Sequence, residues 1–189
     1  MSRNPVQTRL SILNAAGNLF SRHGYCATSL DDILNAAGIT KGAFYHYFKS
    51  KEEICSVLLE QALECTRRMF LSFAETNPYE AFEHWTNRIL DTGSEEGRAF
   101  RLVLRLSDEL TVFRSPIPDR LNQFWNEQLG GLEKILTSFE SAGNLLPDRR
   151  SAALLLLSTT IGLTRLENAA LSGVPAKFLL ETTLRLILS

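Results

Sequence analysis

Residues 28–51, reading TSLDDILNAAGITKGAFYHYFKSK, hold a set of side chains suited to meeting a polyanion. Phe44 and Phe48 are four apart, so on a helix they share one inward face and leave Lys41, Gly42, Tyr45 and His46 to point elsewhere. That outward set is small, polar and partly cationic, which is the chemistry of hydrogen bonding to phosphates and base edges. Lys51 falls in the first turn of the next helix, where an ammonium works against the helix dipole unless an anion is near.

The surrounding residues supply the elements that must position this set. Ser29 with Asp32 fits a capping box, and Leu30, Ile33, Leu34 and Ala37 follow at the spacing of one buried helix face. Gly38 stands where a chain leaving a helix commonly turns left-handed, and Thr40 can cap a new helix directly afterwards. Ser50 with Glu53 forms a second capping box. Two short helices across a glycine turn, with a third beginning beyond them, make a helix-turn-helix. In front of it, Ile12, Ala15, Ala16, Leu19 and Phe20 mark an amphipathic helix over 5–23 that Gly24 ends.

The ordered run Gly24-Tyr25, Thr28-Ser29-Leu30, Ile33, Ala37 to Gly42, Phe44 to Phe48 and Lys49-Ser50-Lys51-Glu52 resembles the amino-terminal signature of the tetracycline-repressor (TetR/AcrR) family of bacterial transcription regulators. Leu34 departs from the pattern, which more often has alanine there, a change expected to affect packing and not DNA reading. The resemblance implies that Thr40, Lys41, Gly42 and Ala43 begin a recognition helix in the major groove. Lys41 would donate to guanine O6 and N7, and Gly42 would admit close backbone approach. Tyr45 and His46 would reach phosphates or base edges. Thr28, with Ser29 beside it, would donate to a phosphate, and Lys51 with the amino end of its helix would hold another.

Beyond Ser50 a long helix is expected through Ile54, Leu58, Ala62, Cys65, Met69 and Phe73 until Asn77-Pro78. Further helical patterns cover 79–92, 95–112, 118–142, 148–171 and 176–188, separated by glycine and proline breakers, with no competing strand pattern. The expected fold is all-α with about nine helices. An amino-terminal three-helix DNA-binding domain over 1–50 precedes a helical effector-binding and dimerisation domain over 51–189. The segments 148–171 and 176–188 are apolar on more than one side, which one small domain rarely covers, so both are expected to pack against a second copy. Such a homodimer would read a double-stranded, roughly palindromic operator.

The family's implied cavity for a small effector, of unknown identity, falls among mid-chain aromatics. Phe70, Phe82, Trp85, Phe100, Phe124 and Trp125 are its candidate lining, although aromatics at helical spacing more often fill a core. Arg98, Arg101 and Arg105 form a stripe that fits salt bridging to Asp108 or Glu109 better than an anionic effector.

Composition narrows the alternatives. With 44% hydrophobic and 22% charged residues in 189, the chain is globular and neither disordered nor membrane-like. The net charge of -1 hides an asymmetry, because Arg3, Arg9, Arg22, Lys41, Lys49 and Lys51 face only Asp31 and Asp32 up to residue 51. Charge alone fits a solvated surface equally well; the motif decides for DNA. Residues 1–5 lack a secretory run and the most apolar stretch, 152–163, is too short to span a bilayer, so a cytoplasmic, nucleoid-associated regulator without membrane contact is expected. Scattered His23, His46 and His84 imply no metal, the three cysteines fit a reducing compartment, and no nucleophile elbow, phosphate loop or acid pair suggests an enzyme or a cofactor. The other reading is a helical small-molecule-binding or DNA-architectural protein without a specific operator.

Overall fold

Local signals start the chain. In this computed structural model, which describes residues 4–141, 148–166 and 175–188, Asn4 accepts the Val6 N–H and Pro5 occupies the first position of helix α1 (Pro5–His23), where a proline loses no helical hydrogen bond. Helix α2 (Leu30–Ala37) begins at the Ser29–Asp32 capping box, with both reciprocal bonds present, and ends at Gly38 in the left-handed conformation at φ 64°. Helix α3 (Lys41–Tyr45) is capped by the Thr40 hydroxyl. Helix α4 (Lys51–Leu71) follows Ser50, which accepts the Glu53 N–H. The second capping box is shifted, because the Glu53 carboxylate takes the Lys49 N–H at 2.6 Å in place of that of Ser50.

The remaining elements are α5 (Pro78–Leu90), α6 (Glu95–Ser107), a 3-10 turn at Leu110–Val112, α7 (Ile117–Ser141), α8 (Arg149–Leu166) and α9 (Ala176–Ile187). The described residues thus form nine α-helices and no strand. Arg3, Ala142 and the last turn expected for α8, 167–171, lie outside the described residues.

Two helices are shorter than their apolar pattern suggests. Helix α4 stops at Leu71, and the chain then turns through bonds from Phe73 to Phe70, Ala74 to Leu71 and Thr76 to Phe73, each reaching three residues back and not four. The Ser72 hydroxyl donates to the Met69 carbonyl at 2.6 Å and so competes for the helix's own acceptors. Helix α6 stops at Ser107 and not 112, since the Ser107 hydroxyl donates to the Val103 carbonyl and the chain tightens into the 3-10 turn.

The chain divides into two compact units, one of residues 1–63 and 99–122 and the other of 64–98 and 123–189. In the first, Ile12, Leu13, Ala16 and Phe20 of α1 are buried with Ile33, Leu34 and Ala37 of α2 and with Phe44 and Phe48. In the second, the large buried side chains include Trp85, Phe124, Leu132, Leu136 and Leu156. A buried polar chain crosses it, with Trp85 Nε1 donating to Gln128 Oε1 at 3.1 Å and Gln128 Nε2 donating to Thr66 Oγ1 at 3.2 Å. Such a chain satisfies groups that would be costly to bury alone.

Helices α8 and α9 pack on each other, and Ala152, Ala153, Leu156, Leu180, Leu184 and Ile187 are buried. Each also carries large apolar side chains at the surface: Leu154 at 45%, Leu155 at 47% and Leu166 at 45% exposure on α8, Phe178 at 56% and Leu186 at 67% on α9. No described helix is long and apolar enough to cross a membrane.

Candidate nucleic-acid interface

Phe44 is buried and anchors α3, with Phe48 beneath it at 6.1 Å between ring centroids, so the rest of the short helix faces out. Lys41, Gly42, Tyr45 and His46 are exposed, Ala43 is half-buried, and the Tyr45 ring rests edge-on against Phe44 at 5.3 Å. A methyl group added at Gly42 would meet no atom within 4 Å, so the fold of the chain itself does not demand glycine there. Thr40 is exposed and accepts the Ala43 N–H. Ser29 is exposed too, with its hydroxyl donating to Asp32 Oδ2 at 2.6 Å; that bond holds the Asp32 carboxyl below its ordinary range.

Two expected phosphate donors are placed otherwise. Thr28 is buried at 2% exposure and its hydroxyl donates to the Gly24 carbonyl at 2.7 Å, so its single proton is committed within the chain. Lys51 turns back from the start of α4 to donate to the carbonyls of Tyr25 at 2.8 Å and Thr28 at 2.7 Å, and its ammonium lies 4.1 Å from the centre of the Tyr25 ring. A cation at a helix amino end needs compensation, and two carbonyl oxygens and an aromatic face supply it in place of a phosphate. Both residues therefore position the α1–α2 loop, with two of the three Lys51 ammonium protons committed to its carbonyls.

Distant residues in the same unit hold that loop as well. Glu109 accepts the Cys26 N–H at 2.7 Å, Arg105 donates to the His23 carbonyl at 3.1 Å, and the Tyr25 ring packs between Phe20 at 5.4 Å and Phe113 at 4.8 Å. Arg105 also pairs with Asp108 and Glu109, which bears out the salt-bridged reading of the arginine stripe at that residue. Burial pushes the Tyr25 phenol up to about 12. Nothing within a few residues of Arg105, Glu109 or Phe113 marks them as supports of a motif 80 residues earlier; only their packing does so.

The cysteines are poor thiolates. Hydrogen bonding to Glu109 raises the exposed Cys26, and burial pushes Cys55 and Cys65 to about 12. Among the described residues no three His, Cys, Asp or Glu side chains gather as a metal site.

A cleft of about 780 Å³ lies in the second unit, bordered by the end of α4, the start of α5 and the middle of α7. Of the six aromatics expected to line a ligand site, Phe70 borders this cleft. Phe82, Trp85, Phe100 and Phe124 are instead core side chains at 3% exposure or less, and half-buried Trp125 packs edge-on against Phe124 at 5.3 Å. The difference is physical: an aromatic at a core-facing helical position is covered by its neighbours, and the cleft forms where small residues leave space. Phe73, Ala74, Ala81, Gly130 and Gly131 border it, and no sequence signal set them apart.

The family of bacterial regulatory proteins described as tetR matches residues 12–57, the stretch from α1 into α4. The transposon Tn10 TetC protein of Escherichia coli is 38% identical over 93 residues, which are 47% of this chain and 47% of that protein. An HTH-type transcriptional regulator from the lacX 3' region of Lactococcus lactis is 26% identical over 177 residues, 87% of this chain and 90% of that one. In fold, the chain is similar to AibR, solved with isovaleryl coenzyme A and operator DNA, at a TM-score of 0.74 over 96% of this chain and 98% of that one with 17% identity. The matched segment is the one that builds the helix-turn-helix: residues 12–57 are similar to the tetR family of bacterial regulatory proteins, and the likeness in fold continues through the helical unit.

Proposed function

We propose that the chain is a homodimeric repressor that binds a palindromic operator and is released by a small molecule. The observation that carries this reading is the exposed face of α3, where Lys41, Gly42, Tyr45 and His46 stand clear of the unit that supports them. Lys41 donates to a base edge, Gly42 admits the groove wall, and Tyr45 and His46 hold backbone phosphates or neighbouring bases. Thr40, Ala43 and Ser29 complete the contact surface. Binding of random and genomic DNA fragments at near-physiological salt, read by sequencing, tests it. A short inverted repeat is the expected result; salt-sensitive binding without a motif would favour a DNA-architectural protein.

Gly42→Ala separates this reading from a structural one. Alanine favours the helix by up to about 1 kcal/mol over glycine and meets open space, so thermal stability should hold or rise. Operator affinity should nonetheless fall by about tenfold or more, equivalent to about 1.4 kcal/mol. Unchanged affinity in a fluorescence anisotropy titration would remove α3 from the groove.

The exposed apolar side chains of α8 and α9 are the proposed dimer face, because a patch of that kind on paired helices is what a two-fold four-helix contact covers. In the Phe178→Glu, Leu186→Glu double variant, sedimentation should report a monomer with intact helical content. Binding to the full inverted repeat should then weaken by about 100-fold or more as the second half-site contact is lost. A variant that still sediments as a dimer would move the interface elsewhere.

Helices α4, α6 and α7 each contribute residues to both units, which supports a route from an effector in the helical unit to the DNA-binding face. Displacing α6 would pull Arg105 and Glu109 on the loop that sets α2. A coupling of about 1–3 kcal/mol changes operator occupancy several-fold or more. A rise in transcription when the protein is added to its own operator would replace the repressor label with an activator one.

A further inference from the structure

Helix α7 carries two adjacent glycines in its interior, Gly130 and Gly131, and glycine weakens a helix relative to alanine. Gly131 is explained within the chain: a methyl group there would sit 2.3 Å from the Phe70 ring, so the ring lies on bare backbone. Gly130 is not, because a methyl group there would meet no atom within 4 Å. It borders the cleft, and its missing side chain leaves open space in the wall. The apolar part of that wall includes Phe70, Phe73, Ala81 and Ile135. Leu71 borders the cleft as well and is 74% exposed, an apolar side chain that an occupant would cover.

The polar residues of the cleft differ in what they have left to offer. Glu127 is engaged, since its Oε1 accepts from Arg67 Nε at 3.0 Å and Nη2 at 2.7 Å, and its Oε2 is closed to solvent. Lys134 and Asn126 are exposed, both border the cleft, and neither has a hydrogen bond or an ion pair among the described residues. The acid next to Lys134 in sequence, Glu133, is taken by Arg150 at 2.9 Å. Asn126 stands four residues before Gly130 and Lys134 four after it, so the three share one face of α7 with the opening in the middle. Arg67 and Glu127 offset each other, which leaves Lys134 as the one uncompensated charge among the residues bordering the cleft. An ammonium meets repulsion there. A dianion would lose hydration that a single lysine does not replace, whereas one carboxylate matches one ammonium.

Resting on the effector reading above, we infer that the cleft binds organic monoanions in which a carboxylate ends an apolar body, with Lys134 holding the carboxylate and Gly130 admitting the body against the backbone of α7. The cleft volume of about 780 Å³ lies within the range of about 300–1,000 Å³ in which ligand sites enclose small molecules.

The test uses the full chain and two carboxylates of different body, biphenyl-4-carboxylate and octanoate, each against its neutral primary amide, with binding followed by calorimetry. At least one carboxylate should bind about threefold or more tighter than its amide, the effect of a charge pair at an exposed lysine. That advantage should shrink as salt is raised, while amide binding stays level. 4-Phenylbenzylamine, a cation of similar shape, should bind more weakly than either biphenyl probe. Lys134→Gln should bring the carboxylate down to its amide and leave the amide unchanged, with no shift in melting temperature because the side chain is exposed and unpaired. Gly130→Leu should abolish binding of every probe while the melting temperature holds or rises, since leucine favours a helix and its first carbon meets nothing within 4 Å. Equal binding of carboxylates and amides, an advantage that survives Lys134→Gln, tighter binding of the amine, no binding of either carboxylate, or carboxylate binding that survives Gly130→Leu each overturns the inference. Operator titrations run alongside separate the two readings. Carboxylate binding that leaves the operator complex intact keeps the site and rejects release by effector; an inverted-repeat complex with no carboxylate binding keeps the operator reading and rejects the site.

Discussion

Gly24→Ala is expected to destabilise the amino-terminal unit by about 3 kcal/mol and to weaken operator binding with it. Gly24 closes α1 with its N–H on the Phe20 carbonyl and then adopts φ 90°, ψ 169°, a region that side-chain-bearing residues enter at a cost of about 1–3 kcal/mol. Space is lacking as well: a methyl group there would sit 1.9 Å from Glu109 Oε1 and 3.1 Å from Arg105 Nη2. The Glu109 carboxylate must then leave the Cys26 N–H, which forfeits about another 1 kcal/mol or more. The loop so disturbed leads directly into the Ser29 cap of α2, and α2 carries α3. Urea unfolding of the single variant and of Gly24→Ala with Glu109→Ala separates the two causes, since removing the carboxylate relieves the clash and leaves the backbone strain. A single variant as stable as the parent would contradict this account.

Lys51→Met is the second large effect, and its signature in DNA binding is the informative part. The change keeps the apolar stem and removes the ammonium that serves two carbonyls of the α1–α2 loop. Hydrogen bonds to a charged group contribute about 1.5–3 kcal/mol, and Lys51 is half-buried, so a loss of about 2 kcal/mol is expected. For a chain of this size that lowers the melting temperature by roughly 4–8 °C. If Lys51 held a phosphate, the slope of log affinity against log salt would shrink by about one. With the ammonium committed internally, the slope should stay that of the parent while affinity falls through misplacement of α2 and α3. A reduced slope with unchanged stability would return Lys51 to the phosphate contacts.

The elements of the helix-turn-helix were legible because their signals lie within one helical turn. The Ser29–Asp32 box, the left-handed Gly38 and the Thr40 cap each involve partners three or four residues apart, and all are realised. Helix lengths were less legible. Apolar spacing continued past Leu71 and Ser107, but serine hydroxyls at both ends competed for helical carbonyls and the turns tightened. The aromatic positions were legible as helical and apolar, yet that pattern does not separate a core ring from a cleft wall. Phe70 borders the cleft and Trp85 is sealed in the core, although each stands at a helical spacing.

The sequence by itself determined about nine helices, the glycine turns between the first of them and the face of α3 turned outward, because periodicity, caps and left-handed glycines act over a few residues of backbone. The tertiary structure decided which polar groups remain available. Lys51 finds its acceptors 26 and 23 residues back in the chain, and Cys26 finds Glu109 83 residues ahead. Thr66 meets Gln128 and Arg67 meets Glu127 only when α4 lies beside α7. A hydrogen bond depends on ångström-scale proximity, which chain spacing sets along one helix and packing alone sets between distant ones.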